Sequence, residues 1–125
     1  MLILIVDSSI PVIERLIALV TENGPEIHSR YATSFEEALL LLDQFQPDVV
    51  LLDMSLPDNS SVELLRIIKN KKAASQIVAL SNSADEEVER QCRIDGASYF
   101  FDKYHDYEKI PAALAAIASS IGSED

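Results

Sequence analysis

The sequence predicts an α/β protein whose single parallel sheet carries helices on both faces. Three observations predict it. Short apolar runs, such as Ile3–Val6 and Val49–Leu52, stop abruptly at an acid, and continuous runs of this length read as strands buried on both faces. Between the runs lie segments with apolar residues at helical spacing, several opened by a Ser or Asp cap. Five strands alternate with five helices, the pattern of βαβ units with right-handed crossovers.

Leu2 to Val6 is the first strand, ending at Asp7. Ser8 or Ser9 caps the helix that follows, Pro11 is tolerated in its first turn, and Ile13, Leu16, Ile17 and Val20 share one face. Asn23-Gly24-Pro25 ends it. Ile27 to Ala32 is a second strand. Ser34-Phe35-Glu36-Glu37 is a capping box, and Ala38, Leu41, Leu42 and Phe45 mark the buried stripe of a second helix.

The third strand runs from Asp48 to Leu52, with Asp53 at its carboxyl end and Pro57 and Asn59 turning the chain away. Ser60-Ser61-Val62-Glu63 is a further capping box before a helix with Leu64, Leu65 and Ile68 inward. The last turn of that helix is basic (Lys69, Lys71, Lys72), complementing its dipole. Gln76 to Leu80 is the fourth strand, ending at Ser81. Ser83-Ala84-Asp85-Glu86 opens the fourth helix, with Val88 and Cys92 inward and Gly96 at the C-cap. Ser98 to Phe101 is the fifth strand, ending before Asp102-Lys103. The last helix begins near Ile110, because Pro111 lies too deep for a start at Asp106, and carries Leu114, Ile117 and Ile121 on one face.

This count suits a flavodoxin-like doubly wound (βα)5 sandwich with strand order 2-1-3-4-5, which sets the ends of strands one and three beside the switch point. At 125 residues the chain reads as one domain, 1–125, able to bury about two-thirds of its unfolded surface. Ten basic against 21 acidic side chains give −11, a field that repels nucleic acid and anionic membranes. The first apolar run is too short to span a membrane and lacks the basic flank of a signal peptide. A lone cysteine, Cys92, excludes an internal disulfide and fits a reducing cytoplasm; on an inward stripe it reads as core packing. His28 and His105 have no partner at metal-ligand spacing and read as surface residues, while Tyr99, Phe101, Tyr104 and Tyr107 cluster near Lys103.

Four strand ends share one rim in this topology: Asp7, Asp53, Ser81 and Lys103. Singly, each has an ordinary reading as cap, turn residue or surface cation. Together they form a device for phosphoryl chemistry. Two acids can hold Mg²⁺, which takes one or two carboxylates plus waters and a phosphate. A hydroxyl and an ammonium can hold the remaining oxygens, and one carboxylate can act as nucleophile to form an acyl phosphate.

At these residues the chain resembles the response-regulator receiver domain of two-component signalling. Leu4-Ile5-Val6-Asp7 resembles the acidic motif of the first strand, and Val49 to Pro57 resembles the phosphoacceptor strand and loop. Val78-Ala79-Leu80-Ser81-Asn82 resembles the fourth strand with its Thr/Ser, and Gly96 to Lys103 the fifth with its Lys, which follows Ser81 by twenty-two positions. The resemblance implies that Asp53 accepts phosphoryl from phosphohistidine on a histidine kinase or a histidine phosphotransfer protein. Asp7 and the backbone carbonyl of Ser55 would help hold Mg²⁺, with Ser8 reaching it through water. Lys103 would pair with Asp53 and then with the phosphoryl group, while Ser81 and the aromatic switch Phe100 move inward. The added charge would bias a surface on the fourth helix, fifth strand and fifth helix that meets a downstream protein, or a second copy.

Departures from the family pattern carry expectations of their own. Ser8 stands where a second acid is usual, so weak Mg²⁺ binding is expected. Ser61 replaces a usual Gly in the loop after Asp53, and Tyr104 replaces the Pro after Lys103, so no cis peptide is expected there. The rival readings are a degenerate receiver acting as a phosphorylation-independent interaction module, and a small α/β enzyme or flavin carrier. The last fits poorly: three glycines and Asp7-Ser8-Ser9 supply neither a flavin-phosphate cradle nor the paired acids of a dehalogenase-type phosphatase loop.

Overall fold

The computed structural model describes residues 1–22, 26–82 and 85–122. Five parallel strands, β1 (Leu2–Val6), β2 (His28–Ala32), β3 (Val49–Asp53), β4 (Gln76–Ser81) and β5 (Tyr99–Asp102), stand in the order β2-β1-β3-β4-β5. Between and after them run α1 (Ile10–Thr21), α2 (Phe35–Gln44), α3 (Ser60–Lys71), α4 (Glu86–Ile94) and α5 (Ile110–Gly122). This is the doubly wound order expected from the alternation.

The period-two geometry of a strand divides its apolar residues between two cores. Ile3, Ile5, Val49, Leu51, Val78 and Leu80 face α1 and α5, packing on Ile13, Leu16, Val20, Ile110, Leu114 and Ile117. Leu4, Val6, Val50, Leu52, Ile77 and Ala79 face the other way, onto Ala38, Leu42, Leu64, Leu65, Ile68 and Cys92. With both faces covered, β1, β3 and β4 must be apolar throughout, which is why their runs are continuous.

β1 has the bounds expected, β3 and β5 shift by one residue toward the carboxyl end, β2 starts one residue later and β4 ends one residue later. Ile27, Asp48 and Ser98 lie outside the strands, while Asp53, Ser81 and Asp102 lie inside them. A polar side chain does not end a ladder whose backbone bonds continue, and Met54 N–H still donates to the Leu80 carbonyl (2.8 Å) and Lys103 N–H to that of Ser81 (2.7 Å).

Some caps are as expected and others differ. Ser9 caps α1, accepting from Val12 N–H. Ser34 accepts from Glu37 N–H at 3.2 Å, but the Glu37 carboxylate reaches Thr33, its N–H at 3.0 Å and its hydroxyl, rather than the Ser34 N–H. The Ser60–Glu63 box does not form. Pro57 starts a 3-10 turn, Pro57–Asn59, whose last residue is left-handed (φ 54°), and Ser60 Oγ donates back to the Pro57 carbonyl at 3.1 Å. Asp85 caps α4, accepting from Glu87 N–H at 2.8 Å. The expected breaker Asn23-Gly24-Pro25 and the pair Ser83-Ala84 lie outside the described residues.

Gly96 closes α4 in a Schellman motif: its N–H donates to the Arg93 carbonyl and Ala97 N–H to that of Cys92. Its φ of +116° excludes most side chains, and a Cβ there would stand 2.5 Å from Lys69 Cγ. Two residues expected inward are not. Val88 is 37% and Ile121 45% exposed, because α4 and the end of α5 bury only part of their apolar arcs. α5 begins at Ile110, as Pro111 requires, after a 3-10 turn over Tyr107–Lys109.

Candidate functional site

The carboxyl ends of β1, β3 and β5 bring three charged side chains out of water together. Asp7 and Asp53 each use Oδ1 to accept the backbone N–H two residues on, from Ser9 and from Ser55, both at 2.8 Å. These short-range bonds are the turn chemistry natural to Asp after a strand. They leave Oδ2 of both acids facing one ammonium: Lys103 Nζ lies 2.6 Å from Asp7 Oδ2 and 3.3 Å from Asp53 Oδ2. All three side chains are at most 5% exposed.

The closer pairing is with Asp7, although the resemblance implied Asp53. Asp7 Oδ2 is nevertheless buried and, among the described residues, has no hydrogen bond of proper geometry; its contact with the ammonium is an ion pair by distance. Burial pushes the Asp53 carboxyl above its ordinary value. The Ser55 N–H opposes that, the Asp7 charge adds to it, and Lys103 offsets part of it. Burial alone would lower the Lys103 ammonium, but the two carboxylates outweigh it and hold it above its usual value.

Ser81, at the end of β4, is buried on the same rim. Phe100 is also buried, packed into the core with Cys92, Ala97 and Leu56 rather than turned to solvent. Ser8 and Ser55 are exposed at the mouth. Two oxygen-bearing acids around a cation position fit a hard dication, which tolerates one or two carboxylates with water in its remaining places. Among the described residues there is no group of three His, Cys, Asp or Glu side chains able to hold a metal.

Several contacts around the site were not foreseen from the sequence. Ser61, 1% exposed, donates its hydroxyl to the Asp53 carbonyl at 2.7 Å and accepts from Leu56 N–H at 3.0 Å. Asp102 Oδ1 accepts from Tyr104 N–H and His105 N–H, and lies 3.1 Å from His105 Nδ1. His105 is at the surface, as expected, its side chain 83% exposed, and it pairs with this one carboxylate. Asp106 Oδ2 accepts from Asp102 N–H, so the loop after Lys103 is tied at both ends. These hydrogen bonds hold the Asp102 and Asp106 carboxyls below their ordinary values. The Asp-x-x-His spacing was the one available signal. Of the aromatic cluster, Tyr107 is buried under the Arg15 guanidinium (3.9 Å to the ring centroid), Tyr99 and Phe101 stack, and Tyr104 is 57% exposed.

Open α/β sheets bind ligands beyond the carboxyl ends of their strands, at the switch point. By fold and site this is a doubly wound α/β domain with an acidic, ammonium-bridged pocket at that place. Its sequence matches the response regulator receiver domain over residues 3–115, and the chain belongs to that family. It is 26% identical over 112 residues to the transcriptional regulatory protein MalR of Bacillus subtilis, covering 78% of this chain and 48% of that protein. It is 33% identical over 86 residues to protein-glutamate methylesterase/protein-glutamine glutaminase 3 of Geobacter sulfurreducens, covering 68% of this chain and 23% of that protein. The chain thus spans about half or less of the length of these curated relatives. Its fold superposes on the signal receiver domain of a DNA-binding response regulator from Colwellia psychrerythraea with TM-score 0.87 at 19% identity, over 94% of this chain and 98% of that one. No described helix is long and apolar enough to cross a membrane.

Proposed function

We propose that this domain takes a phosphoryl group onto Asp53 from phosphohistidine of a histidine kinase or histidine phosphotransfer protein, in the cytoplasm, and passes the signal on through protein contacts. One observation carries the reading: a buried ammonium touches two buried carboxylates at the strand ends, where a phosphoryl group and its counter-cation would sit. The ionised Asp53 carboxylate attacks phosphorus, the P–N bond to imidazole breaks as the P–O bond forms, and the imidazole leaves with the bonding pair and takes up a proton. Lys103 follows the growing charge from carboxylate to phosphoryl oxygens, and the Ser81 hydroxyl donates to one of them. Asp7 and Asp53, with the Ser55 carbonyl and Ser8 through water, would hold Mg²⁺, which supplies charge neutralisation to the phosphoryl oxygens when bound.

The domain then catalyses only its own phosphorylation and dephosphorylation. The readout is a bias of the α4–β5–α5 face, with Phe100 as the aromatic that follows Ser81; a downstream protein or a second copy of the chain meets that face. The test is intact mass after incubation with Mg²⁺ and acetyl phosphate. A phosphoryl adduct that disappears in Asp53→Ala is the expected result. Ser8 in place of a second acid favours one alternative, a degenerate receiver that binds its partner without phosphorylation. No adduct with any donor, alongside intact folding, would establish that alternative.

A further inference from the structure

We propose that Ser61 is a positioning residue for the chemistry at Asp53. The inference rests on the phosphoacceptor reading above. The residue lies in the first turn of α3, eight positions beyond Asp53 and 1% exposed. Its hydroxyl spends both of its functions on the phosphoacceptor loop. The O–H donates to the Asp53 backbone carbonyl at 2.7 Å, and the oxygen accepts the Leu56 N–H at 3.0 Å. One small side chain therefore joins the end of β3, the loop and the start of α3.

What lies inside that closure gives it a chemical consequence. Ser55 stands between the two tied points, and its N–H donates to Asp53 Oδ1 at 2.8 Å. Asp53 is thus held twice, through its carbonyl by Ser61 and through its carboxylate by Ser55. The loop that supplies the second bond is itself anchored by the first residue. Leu56, next to Ser55, is buried, so the loop cannot turn over without losing apolar burial. Left-handed Asn59 completes the return to the helix. With the hydroxyl gone, the loop keeps the burial of Leu56 and the Met54 N–H bond to Leu80 but loses the two bonds that set where the Ser55 N–H, and with it the Asp53 carboxylate, points. Misplacements of about an ångström at a reacting group lower rates by about a hundredfold.

A merely structural hydroxyl would lower stability everywhere and leave the chemistry of the folded molecule alone. Three forms of the chain separate the two roles: the natural one, Ser61→Ala and Ser61→Thr, with Ser61→Gly replacing the alanine variant should that one not fold. Two quantities are read. One is amide hydrogen exchange of Ser55 against Val78, which sits in the middle of β4 and reports global opening. The other is the rate of phosphoryl adduct formation from acetyl phosphate.

In Ser61→Ala, Ser55 exchange rises about tenfold more than Val78 exchange, adduct formation slows about 10- to 100-fold, and Ser61→Thr restores both. The proposal is overturned if Ser55 and Val78 accelerate by the same factor, or if Ser61→Ala forms adduct at the natural rate while folded. Absence of adduct in the natural chain overturns the phosphoacceptor reading instead, and the exchange ratio alone then decides whether Ser61 positions the loop.

Discussion

Replacing Lys103 with Met removes the one cation from between two buried acids. Taken at an effective dielectric of about 20, its contacts at 2.6 and 3.3 Å are gross attractions of about 6 and 5 kcal/mol. The two Oδ2 atoms can be no more than about 6 Å apart, so their mutual repulsion is at least about 3 kcal/mol on the same scale. Desolvation of the ammonium opposes these terms. Breaking buried pairs by removing one partner costs about 3–5 kcal/mol net, which is the loss expected at pH 7.5. For a domain of this size that lowers Tm by about 10–20 °C. Urea unfolding followed by far-UV circular dichroism measures it, since the chain has no Trp.

The pH dependence identifies the cause. Without the ammonium, the folded Asp53 carboxyl, already raised by burial and by the Asp7 charge, binds a proton more readily than it does in the unfolded chain. Stability is therefore regained as pH falls from the raised folded value toward the ordinary Asp value of 3.8. The added substitution Asp7→Asn should recover most of the loss at pH 7.5. A Lys103→Met chain within about 1 kcal/mol of the natural one at pH 7.5, or a loss equal at pH 7.5 and pH 5, would refute the reasoning. The natural chain has the complementary alkaline signature. Lys103 is raised above 10.5, so its contribution is complete below that pH and disappears as pH climbs through the folded value, a step absent from Lys103→Met.

Four further substitutions have expected outcomes. Ser8→Asp adds a carboxylate at the mouth of the pocket and should tighten Mg²⁺ binding about 10- to 100-fold by calorimetric titration; an unchanged affinity removes Ser8 from the account. Gly96→Ala forces a side chain into φ +116° against Lys69 and should cost about 1–2 kcal/mol in denaturant unfolding, with the m-value unchanged. Leu52→Ala, at a fully buried position beside Asp53, should cost about 2–5 kcal/mol, whereas Tyr104→Ala, at 57% exposure, should stay within about 0.5 kcal/mol.

The architecture was legible because burial on both faces leaves a one-dimensional trace. Val49 to Leu52 must be apolar without a break if both sides of β3 are covered, and no amphipathic strand imitates that. The rim was legible by the same route: once strand order follows from βαβ handedness, Asp7, Asp53, Ser81 and Lys103 have to end on one edge. What could not be read was which partner each group chose. Ser60-Ser61-Val62-Glu63 has the letters of a capping box, yet Pro57 starts a turn early and Ser61 is drawn to the Asp53 carbonyl. Val88 has the spacing of a core residue, yet it is 37% exposed.

From the order of residues alone came the alternation of elements, the two-sided core and the identity of the side chains at the strand ends, because periodicity and handedness are properties of the chain. Only the folded arrangement decided that Lys103 sits nearer Asp7 than Asp53 and that Asp102 gathers the loop behind it. It also decided that a buried serine ties the end of β3 to the start of α3. Those choices are contests among donors and acceptors far apart in sequence, and burial settles them by making any unmatched group costly.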